Sequence, residues 1–391
     1  METAALVGAG YQSTEDVDVA DLDALVGSST PPGRYPNASA VEREVVIYDM
    51  AALAVTLDGS AGRREVMAEV AHVLHAGPGV VVLRGAVALD VLARATEAFE
   101  AMIAAEKAAG GPAGDHFAAP GANDRVWNAL EKLAVADPPA FVDYYESDAI
   151  ALAATAWLGP AYQITSQVNV VNPGGSAQAP HRDYHLGFMT DDQAAQYPAH
   201  VHALSAGLTL QGAVAHVDMP AASGPTKLLP HSQKYELGYV AWRNEQVVDL
   251  FEQRHVQLPL AAGDAVFFNP AVLHAAGSNR TSDVRRMGNL LQISSAFGRS
   301  MESVDRARMV NAIYPDLLQR AAAWDRAAVA RVIAAAAEGY AFPTNLDRDP
   351  PVEGLAPPAQ ADLVHEAVRG GWSAGQLADA LSALDQRRST T

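Results

Sequence analysis

Three residues whose types suit metal binding stand at a spacing that could place them around one ion. His181 and Asp183 lie two positions apart after a strand-like run, and His274 follows much later on a second apolar run. Side chains two apart on an extended chain share a face, so the first two can reach one ion, whereas His274 must arrive from a neighbouring strand. Two imidazoles and one carboxylate form the facial triad that holds non-haem Fe(II) and leaves positions for a cosubstrate and O2.

An arginine follows the distal histidine at a distance that suits cosubstrate binding. Arg285 stands eleven residues after His274, and a guanidinium binds a carboxylate with two parallel hydrogen bonds, which suits the far end of 2-oxoglutarate. If the run VRRMGNLLQIS is extended, Arg286 points to the opposite face. We place Arg285 on the cavity side because its face is the more apolar one. That face carries Met287, Asn289, Leu291 and Ile293. The alternative is that both arginines are solvated charges at a sheet edge.

A His-x-Asp motif alone is weak, and the chain contains a second one. With 12 histidines, about one such motif is expected by chance. His216 and Asp218 end the run GLTLQGAVAHVDM, where His216 shares a face with apolar residues, and we expect a packed histidine there. His181 instead follows the turn-rich loop NPGGSAQAP, which could leave the site open to substrate. His185 stays a possible substitute ligand.

Two strand-like runs each have one polar face. In ITSQVNVV, apolar residues alternate with Thr165, Gln167 and Asn169, and in LTLQGAVAHV the residues Thr209 and Gln211 share a face. If the apolar faces meet helices, these polar side chains line the cavity and become candidates for contacts with 2-oxoglutarate or substrate. The alternative interpretation is a solvated sheet face.

Several longer segments carry a family resemblance. They are GVVVLRGAV, QVNVVNPGG before HRDYH, SGPTKLLPHSQK, and AGDAVFFNPAVLHAAGSNRTSDVRR. From about residue 77 to 300 the chain resembles the phytanoyl-CoA dioxygenase family of Fe(II)- and 2-oxoglutarate-dependent oxygenases. The resemblance implies that His181, Asp183 and His274 hold Fe(II) and that Arg285 holds 2-oxoglutarate. It also implies hydroxylation of a small molecule with release of succinate and CO2.

The chain departs from the family pattern at two positions. Ala276 stands where many members have a hydroxyl residue, so the second anchor for the cosubstrate carboxylate must come from elsewhere, and His231 replaces the usual Gly after the central Pro. Asp183 favours hydroxylation, because the related halogenases have a small residue in place of the carboxylate. Two other functions remain open: a cupin-type non-oxidative metalloenzyme, or a non-catalytic metal-binding protein on the same barrel. Substrate contacts could come from Arg182, Tyr184, His185 and the loop DHFAAPGANDR.

The order of elements predicts an α+β fold with a mainly β core. Short strands separated by Gly, Pro and Asn turns predict a double-stranded β-helix, a jelly-roll or cupin-like barrel with the metal at its mouth, backed by N-terminal helices. We predict an irregular N-terminal segment over residues 1–45 and an oxygenase domain over residues 46–300, with the jelly-roll core at about 161–300. Residues 301–391 form a helical C-terminal extension that could serve packing or a homodimer.

Composition limits the partners and the chemistry. The 391 residues carry a net charge of −18, which argues against nucleic acid and anionic membranes and leaves a small-molecule substrate and O2. There is no cysteine, so disulfides and thiolate sites are excluded. The N-terminal sequence lacks the basic start and apolar core of a signal peptide, and no apolar run is long enough to span a bilayer. We therefore expect a cytoplasmic protein.

Overall fold

The computed structural model describes residues 10–109, 122–184, 189–352 and 354–390. The candidate ligand His185 and most of the loop DHFAAPGANDR lie outside these ranges. The strands are β1 (Ala40–Glu42), β2 (Val45–Asp49), β3 (Val80–Arg84), β4 (Asn123–Val126), β5 (Gln163–Val171), β6 (Thr209–Ala215), β7 (Lys227–Leu228), β8 (Ala265–Phe268), β9 (His274–Ala275) and β10 (Arg286–Ser294).

Eight of these strands form one sheet, in the order β1-β2-β3-β8-β6-β10-β5-β4. All neighbours are antiparallel except the parallel pair β2 and β3. The strands β7 and β9 form a second, small sheet. Two isolated bridges extend it, from His181 to His274 and from Leu228 to Val256.

The described residues also contain fifteen α-helices. They are α1 (Val19–Val26), α2 (Met50–Asp58), α3 (Ser60–His75), α4 (Leu89–Ala108), α5 (Ala129–Ala136), α6 (Pro138–Tyr145), α7 (Asp148–Leu158), α8 (Asp191–Ala194), α9 (Ala199–Gly207), α10 (Gly238–Ala241), α11 (Glu245–Arg254), α12 (Arg306–Ala321), α13 (Arg326–Ala336), α14 (Gln360–Gly370) and α15 (Ala374–Arg388). None of the helices described is long and apolar enough to cross a membrane.

The large sheet has two faces with different neighbours, and its register assigns each residue to one of them. The outer face is apolar and packs against the helices in one continuous core. It includes Ile164, Val168, Val170, Leu210, Val214, Met287, Leu291 and Ile293. The inner face holds the alternate residues of the same strands. Across β5, β10 and β6 they form the rows Thr165–Gln292–Gln211, Gln167–Leu290–Ala213 and Asn169–Gly288–Ala215. Across β5, β10 and β6 the inner face is therefore more polar than the outer face. Across β2, β3 and β8 the inner face is apolar and contributes to a second buried cluster, with Ile47, Val82, Val266 and Phe268.

The helices behind the outer face bury apolar stripes at helical spacing. In α3, Val66, Val70, Val73 and Leu74 are all buried. In α4, Leu92, Phe99 and Ile103 are buried and Met102 packs partly against the same core. Residues 126–158 contain three helices, and Ser147 caps the last of them by accepting a hydrogen bond from the Ile150 amide.

The structure differs from two other sequence predictions. The segment up to residue 45 is not wholly irregular, since it contains α1, capped by Asp18, and β1. His274 does not lie on the strand AVFFNP, because β8 ends at Phe268 and the chain turns before His274 enters the small sheet.

The C-terminal helices share the core of the N-terminal helices. Met309, Ile313 and Leu317 of α12 belong to the same buried cluster as α6, and Arg320 pairs with Asp143 of α6 at 2.6 Å. The predicted capping box at Ser373 and Gln376 is present at the start of α15.

Candidate metal centre

Three side chains converge where the small sheet meets the inner face of the large one. His181 and His274 face each other across an antiparallel bridge and exchange both backbone hydrogen bonds, at 2.9 and 3.0 Å. Their ring centroids are 4.4 Å apart. Asp183 lies two residues after His181, and one ligand atom from each of the three residues lies within 4.8 Å of the others. Pairing of the two strands therefore brings the predicted triad together.

Backbone contacts fix which ring nitrogen of each histidine faces the site. The Nδ1–H group of His181 donates to the carbonyl of Ala179 at 2.9 Å, and that of His274 donates to the carbonyl of Val272 at 2.9 Å. A carbonyl can only accept, so each Nδ1 carries the proton and each Nε2 carries the lone pair that a metal needs. Burial, helped by the neighbouring His181, lowers the pKa of His274 to about 4, so this ring is neutral at neutral pH.

The two oxygens of Asp183 have different surroundings. Oδ2 accepts a hydrogen bond from the Nε2 amide of Gln211 and lies 3.7 Å from Nε2 of His274. Oδ1 lies 3.9 Å from Nε2 of His181, is buried, and has no hydrogen-bond partner among the described residues. A buried carboxylate oxygen without a donor is costly unless a cation binds it. Two imidazole Nε2 atoms and this oxygen fit a divalent transition metal with open positions.

The two consecutive arginines lie on opposite faces of the sheet, and the face predicted for Arg285 is wrong. Its side chain projects from the outer side, 45% exposed, and pairs with Glu100 at 2.8 Å and with Asp124 at 3.3 Å. Arg286 begins β10 on the inner face and is 7% exposed. The apolar residues that share a face with Arg285 contact helices, so their apolarity reflects the core and not a cavity.

Arg286 is held by backbone oxygens. One of its terminal nitrogens, Nη1, donates to the carbonyls of Ser223 at 2.9 Å and Gly277 at 3.0 Å. No carboxylate of the residues described here lies within ion-pair distance of it. Burial lowers the pKa of Arg286 to about 10, which still leaves it charged at neutral pH. The sequence analysis did not choose Arg286 as the cosubstrate anchor. The signal that could have identified it is its position on the more polar side of the run VRRMGNLLQIS.

The polar residues predicted to line the cavity lie on the inner face. Thr165, Gln167 and Asn169 share that face with Gln211, and Thr209 lies one row further along. Gln167 accepts a hydrogen bond from Arg125 of β4 at 3.0 Å. Asn169 has a buried Oδ1 that lacks a hydrogen-bond partner in the described part of the chain.

Three further residues from the sequence analysis lie away from the inner face. Arg182, 2% exposed, donates to the carbonyls of Ser232 and Tyr235, and Tyr184 contacts His202. Arg182 and Tyr184 are the sequence neighbours of Asp183, but their side chains make these contacts away from the inner face. His231, which replaces the family glycine, keeps the left-handed backbone that glycine would favour, with φ of 68°.

His216 is a packed histidine, as predicted. It lies on the outer side, where its ring contacts the hydroxyls of Thr96 at 2.8 Å and Tyr144 at 3.1 Å. Burial lowers its pKa to about 3. The exposed Asp218 accepts a hydrogen bond from the Ala262 amide at 2.9 Å. The second His-x-Asp motif is therefore structural.

Comparison with known proteins gives one family match. A family model described as Phytanoyl-CoA dioxygenase (PhyH) matches residues 77–287, more than half of the chain. A search of curated proteins finds no match.

Solved structures give partial matches. The non-heme alpha ketoglutarate dependent epimerase SnoN from nogalamycin biosynthesis is 19% identical, with a TM-score of 0.40 over 60% of this chain and 84% of its own. The non-heme monooxygenase ThoJ, in a nickel complex, is 19% identical, with a TM-score of 0.41 over 60% of this chain and 80% of its own. AviO1 from Streptomyces viridochromogenes Tue57 is 17% identical, with a TM-score of 0.42 over 57% and 92%.

Proposed function

Because the chain belongs to the phytanoyl-CoA dioxygenase family and is an Fe(II)- and 2-oxoglutarate-dependent oxygenase, we propose that it hydroxylates a small-molecule substrate and releases succinate and CO2. Bound Fe(II) and 2-oxoglutarate would supply the oxidising power for this reaction. The observation that carries the proposal is the convergence of two Nε2 lone pairs on Oδ1 of Asp183, the unpartnered oxygen. His181, Asp183 and His274 would hold the metal.

The arrangement of strands supports a jelly-roll barrel. The large sheet forms one wall, and the small sheet, extended by the bridges at His181 and Val256, forms the other. Gln211 connects the two walls, because it lies on the inner face of β6 and its side chain donates a hydrogen bond to Asp183 beside the small sheet. In this double-stranded β-helix the metal site lies between the two walls, where side chains from both can reach it.

We assign the far carboxylate of 2-oxoglutarate to Arg286 and not to Arg285. A buried guanidinium with only carbonyl contacts retains an uncompensated charge, and a bound carboxylate would neutralise it. Its partner Gly277 is three residues from His274, at most about 10 Å along an extended chain. Arg286 therefore lies close enough to the triad for one dicarboxylate to bridge them. Arg285 already has two carboxylate partners.

The inner-face amides complete the proposed cosubstrate site. Ala276 offers no hydroxyl, so further hydrogen bonds to 2-oxoglutarate must come from other side chains. Asn169 lies one row from Arg286 on the adjacent strand and has an unpartnered oxygen among the residues described, which leaves its amide able to turn toward a ligand. Gln167 and Thr209 lie on the same face and are assigned weaker contacts.

Anaerobic titration with 2-oxoglutarate tests the proposal. The Fe(II)-loaded protein should develop the weak visible charge-transfer band of the chelate. In Arg286→Met, half-saturation should need about 10–150 times more 2-oxoglutarate, because a charge-assisted pair contributes about 1.5–3 kcal/mol. The matched control is Arg285→Met, which should titrate like wild type.

Two results would contradict this assignment. A larger loss in Arg285→Met than in Arg286→Met would return the anchor role to Arg285. Absence of the band in wild type with iron bound would refute the oxygenase proposal and favour the non-oxidative or non-catalytic alternatives.

A further inference from the structure

Gln211 contacts the triad from the inner face through a hydrogen bond. It lies in the middle of β6, 4% exposed, and its Nε2 donates to Oδ2 of Asp183. An ionised carboxylate only accepts hydrogen bonds, so its chemistry fixes the orientation of the amide, with the nitrogen toward Asp183 and the oxygen away from it. That oxygen, Oε1, is buried and has no hydrogen-bond partner within the described ranges.

The hydrogen bond from Gln211 makes the two oxygens of Asp183 inequivalent. Oδ2 is occupied by Gln211, whereas Oδ1 points toward the Nε2 atom of His181 without a partner in the part of the chain described. A carboxylate held this way favours coordination through Oδ1 alone. Coordination through both oxygens would take one of the positions that a facial triad leaves open for cosubstrate and O2.

The other end of the amide, Oε1, is a buried acceptor that the fold leaves without a partner among the described residues. An unmet buried acceptor costs about 1–3 kcal/mol, so native proteins retain one mainly where a partner arrives. Gln292 lies directly opposite Gln211 on β10 and is partly exposed, and the next row holds Leu290 and Ala213.

We propose that Gln211 is a positioning residue that links the metal ligand to the substrate. Its Nε2 holds Asp183 in one-oxygen coordination, and its Oε1 accepts a hydrogen bond from a hydroxyl or amino group of the substrate. The substrate is thus a polar molecule with a hydrogen-bond donor close to the carbon that is oxidised. This inference rests on the proposed function, which it deepens.

Metal binding tests the first half. Gln211→Met preserves the length of the side chain but removes both polar ends, and the control Gln292→Met makes the same change opposite it on the inner face. Isothermal titration with Co(II) should show about 10–100-fold weaker binding for Gln211→Met, as for other groups that orient metal ligands. The visible spectrum of the Co(II) protein should change as well. Gln292→Met should leave both unchanged.

The spectrum separates positioning from general damage, because a folded protein with intact coordination retains it. If Gln211→Met does not fold, Gln211→Asn serves instead, since it withdraws the amide from Asp183 by one methylene. Unchanged Co(II) affinity and spectrum in the folded variant would overturn the positioning role while leaving the oxygenase proposal intact. Failure of wild type to bind metal or 2-oxoglutarate would refute the proposed function itself.

Succinate release tests the second half. The probes are pairs of hydroxy acids, amino alcohols and polyols with their O-methyl ethers. In wild type the free hydroxyl compound of an active pair should stimulate succinate release at least tenfold more than its ether, and Gln211→Met should reduce that ratio toward one. Equal stimulation by ethers, the same ratio in both proteins, or no stimulation by any hydroxyl compound would overturn the predicted substrate class.

Discussion

The two faces of the large sheet use the same residue types for different purposes. On the outer face, Arg285 pairs with two carboxylates and His216 contacts two hydroxyls. On the inner face, Arg286 contacts only carbonyls, and Gln211 retains an oxygen without a partner among the described residues, as does Asp183 beside the small sheet.

Residue type alone therefore does not locate a site, since Arg285 and Arg286 are of the same type but differ in their partners. A buried polar group that the fold itself satisfies contributes to stability. A buried polar group that the fold leaves unsatisfied lowers stability by about 1–3 kcal/mol, and such groups concentrate where a ligand completes them.

The two His-x-Asp motifs give the largest expected contrast. Asp183→Ala removes the only carboxylate of the triad, so metal binding and 2-oxoglutarate-dependent turnover should fall at least about 100-fold, beyond the loss typical of groups that only orient ligands. Asp218→Ala removes one exposed turn contact to Ala262. It should cost about 1 kcal/mol of stability and leave Co(II) affinity unchanged. Titration calorimetry and urea unfolding measure the two effects. Similar metal affinity in both variants would remove the distinction between the motifs.

The buried His216 and the exposed His200 should also differ in their effect on the pH dependence of stability. Burial lowers the pKa of His216 to about 3, whereas in the unfolded chain it titrates near about 6.5. Between these values the unfolded state binds a proton that the folded state does not, so stability falls as the pH drops through this window. The slope attributable to His216 should approach about 1.4 kcal/mol per pH unit below pH 6.

Urea unfolding of the metal-free protein between pH 7 and 5 measures this slope. His216→Gln should be less stable than wild type at pH 7, since its contacts with Thr96 and Tyr144 are altered, but its stability should fall less steeply with acid. The exposed His200 provides the control, because His200→Gln should keep the wild-type slope. An unchanged slope in His216→Gln would show that this ring is not the source of the acid sensitivity.

Sequence reasoning located the triad and failed at the arginine for a single physical reason. On β5 the polar side was taken to line the cavity and the apolar side to meet helices, and the structure places Asn169 and Val168 in that way. On β10 the sequence analysis assigned the apolar side to the cavity, and it therefore predicted that Arg285 points into the cavity. The same rule applied to both strands would have selected Arg286, because an apolar side facing helices belongs to the core.

Other features depended on contacts that no local pattern encodes. The spacing of His181 and Asp183 indicates metal binding. The contact between Gln211 and Asp183, in contrast, joins residues that are 28 positions apart in the chain. The unpartnered oxygens are likewise visible only once the chain is folded. The helices behind the sheet were predictable because their apolar stripes are local.

Two asparagines, whose buried Oδ1 atoms both lack a partner among the described residues, test whether the inner face, and not the missing partner alone, marks the site. Asn169→Ala should raise the 2-oxoglutarate concentration for half-saturation about fivefold to tenfold, since one hydrogen bond contributes about 1 kcal/mol. Asn289 lies on the outer face, where its amide contacts the hydroxyls of Tyr144 and Tyr145 at 3.3 and 3.4 Å. Asn289→Ala should lower stability by about 1–3 kcal/mol without changing that concentration. A weaker cosubstrate in the Asn289 variant alone would reverse the roles of the faces.

Replacement of Arg285 should give the smallest effect, and it tests whether the outer face differs from the inner face as described. Its guanidinium joins α4 to β4 through Glu100 and Asp124, and Asp124 is also paired with Lys107 at 2.7 Å. Because Arg285 is half exposed and Asp124 keeps a second cation, Arg285→Ala should destabilise the protein by about 0.2–1 kcal/mol. Salt screens exposed pairs, so the difference from wild type should shrink between low salt and 1 M NaCl.

Urea unfolding at the two salt concentrations measures that difference, with Arg254→Ala as control, since the Arg254 side chain is as exposed as that of Arg285 and pairs with the half-exposed Asp23 at 2.7 Å. The two variants should lose similar amounts, because water stabilises the exposed charges of each pair and the buried Asp124 keeps its pair with Lys107. A loss in Arg285→Ala of several kcal/mol that salt does not reduce would mean that Asp124 depends on this arginine as a buried charge depends on its counterion. The outer face would then resemble the inner one, with a charge that the fold alone does not satisfy.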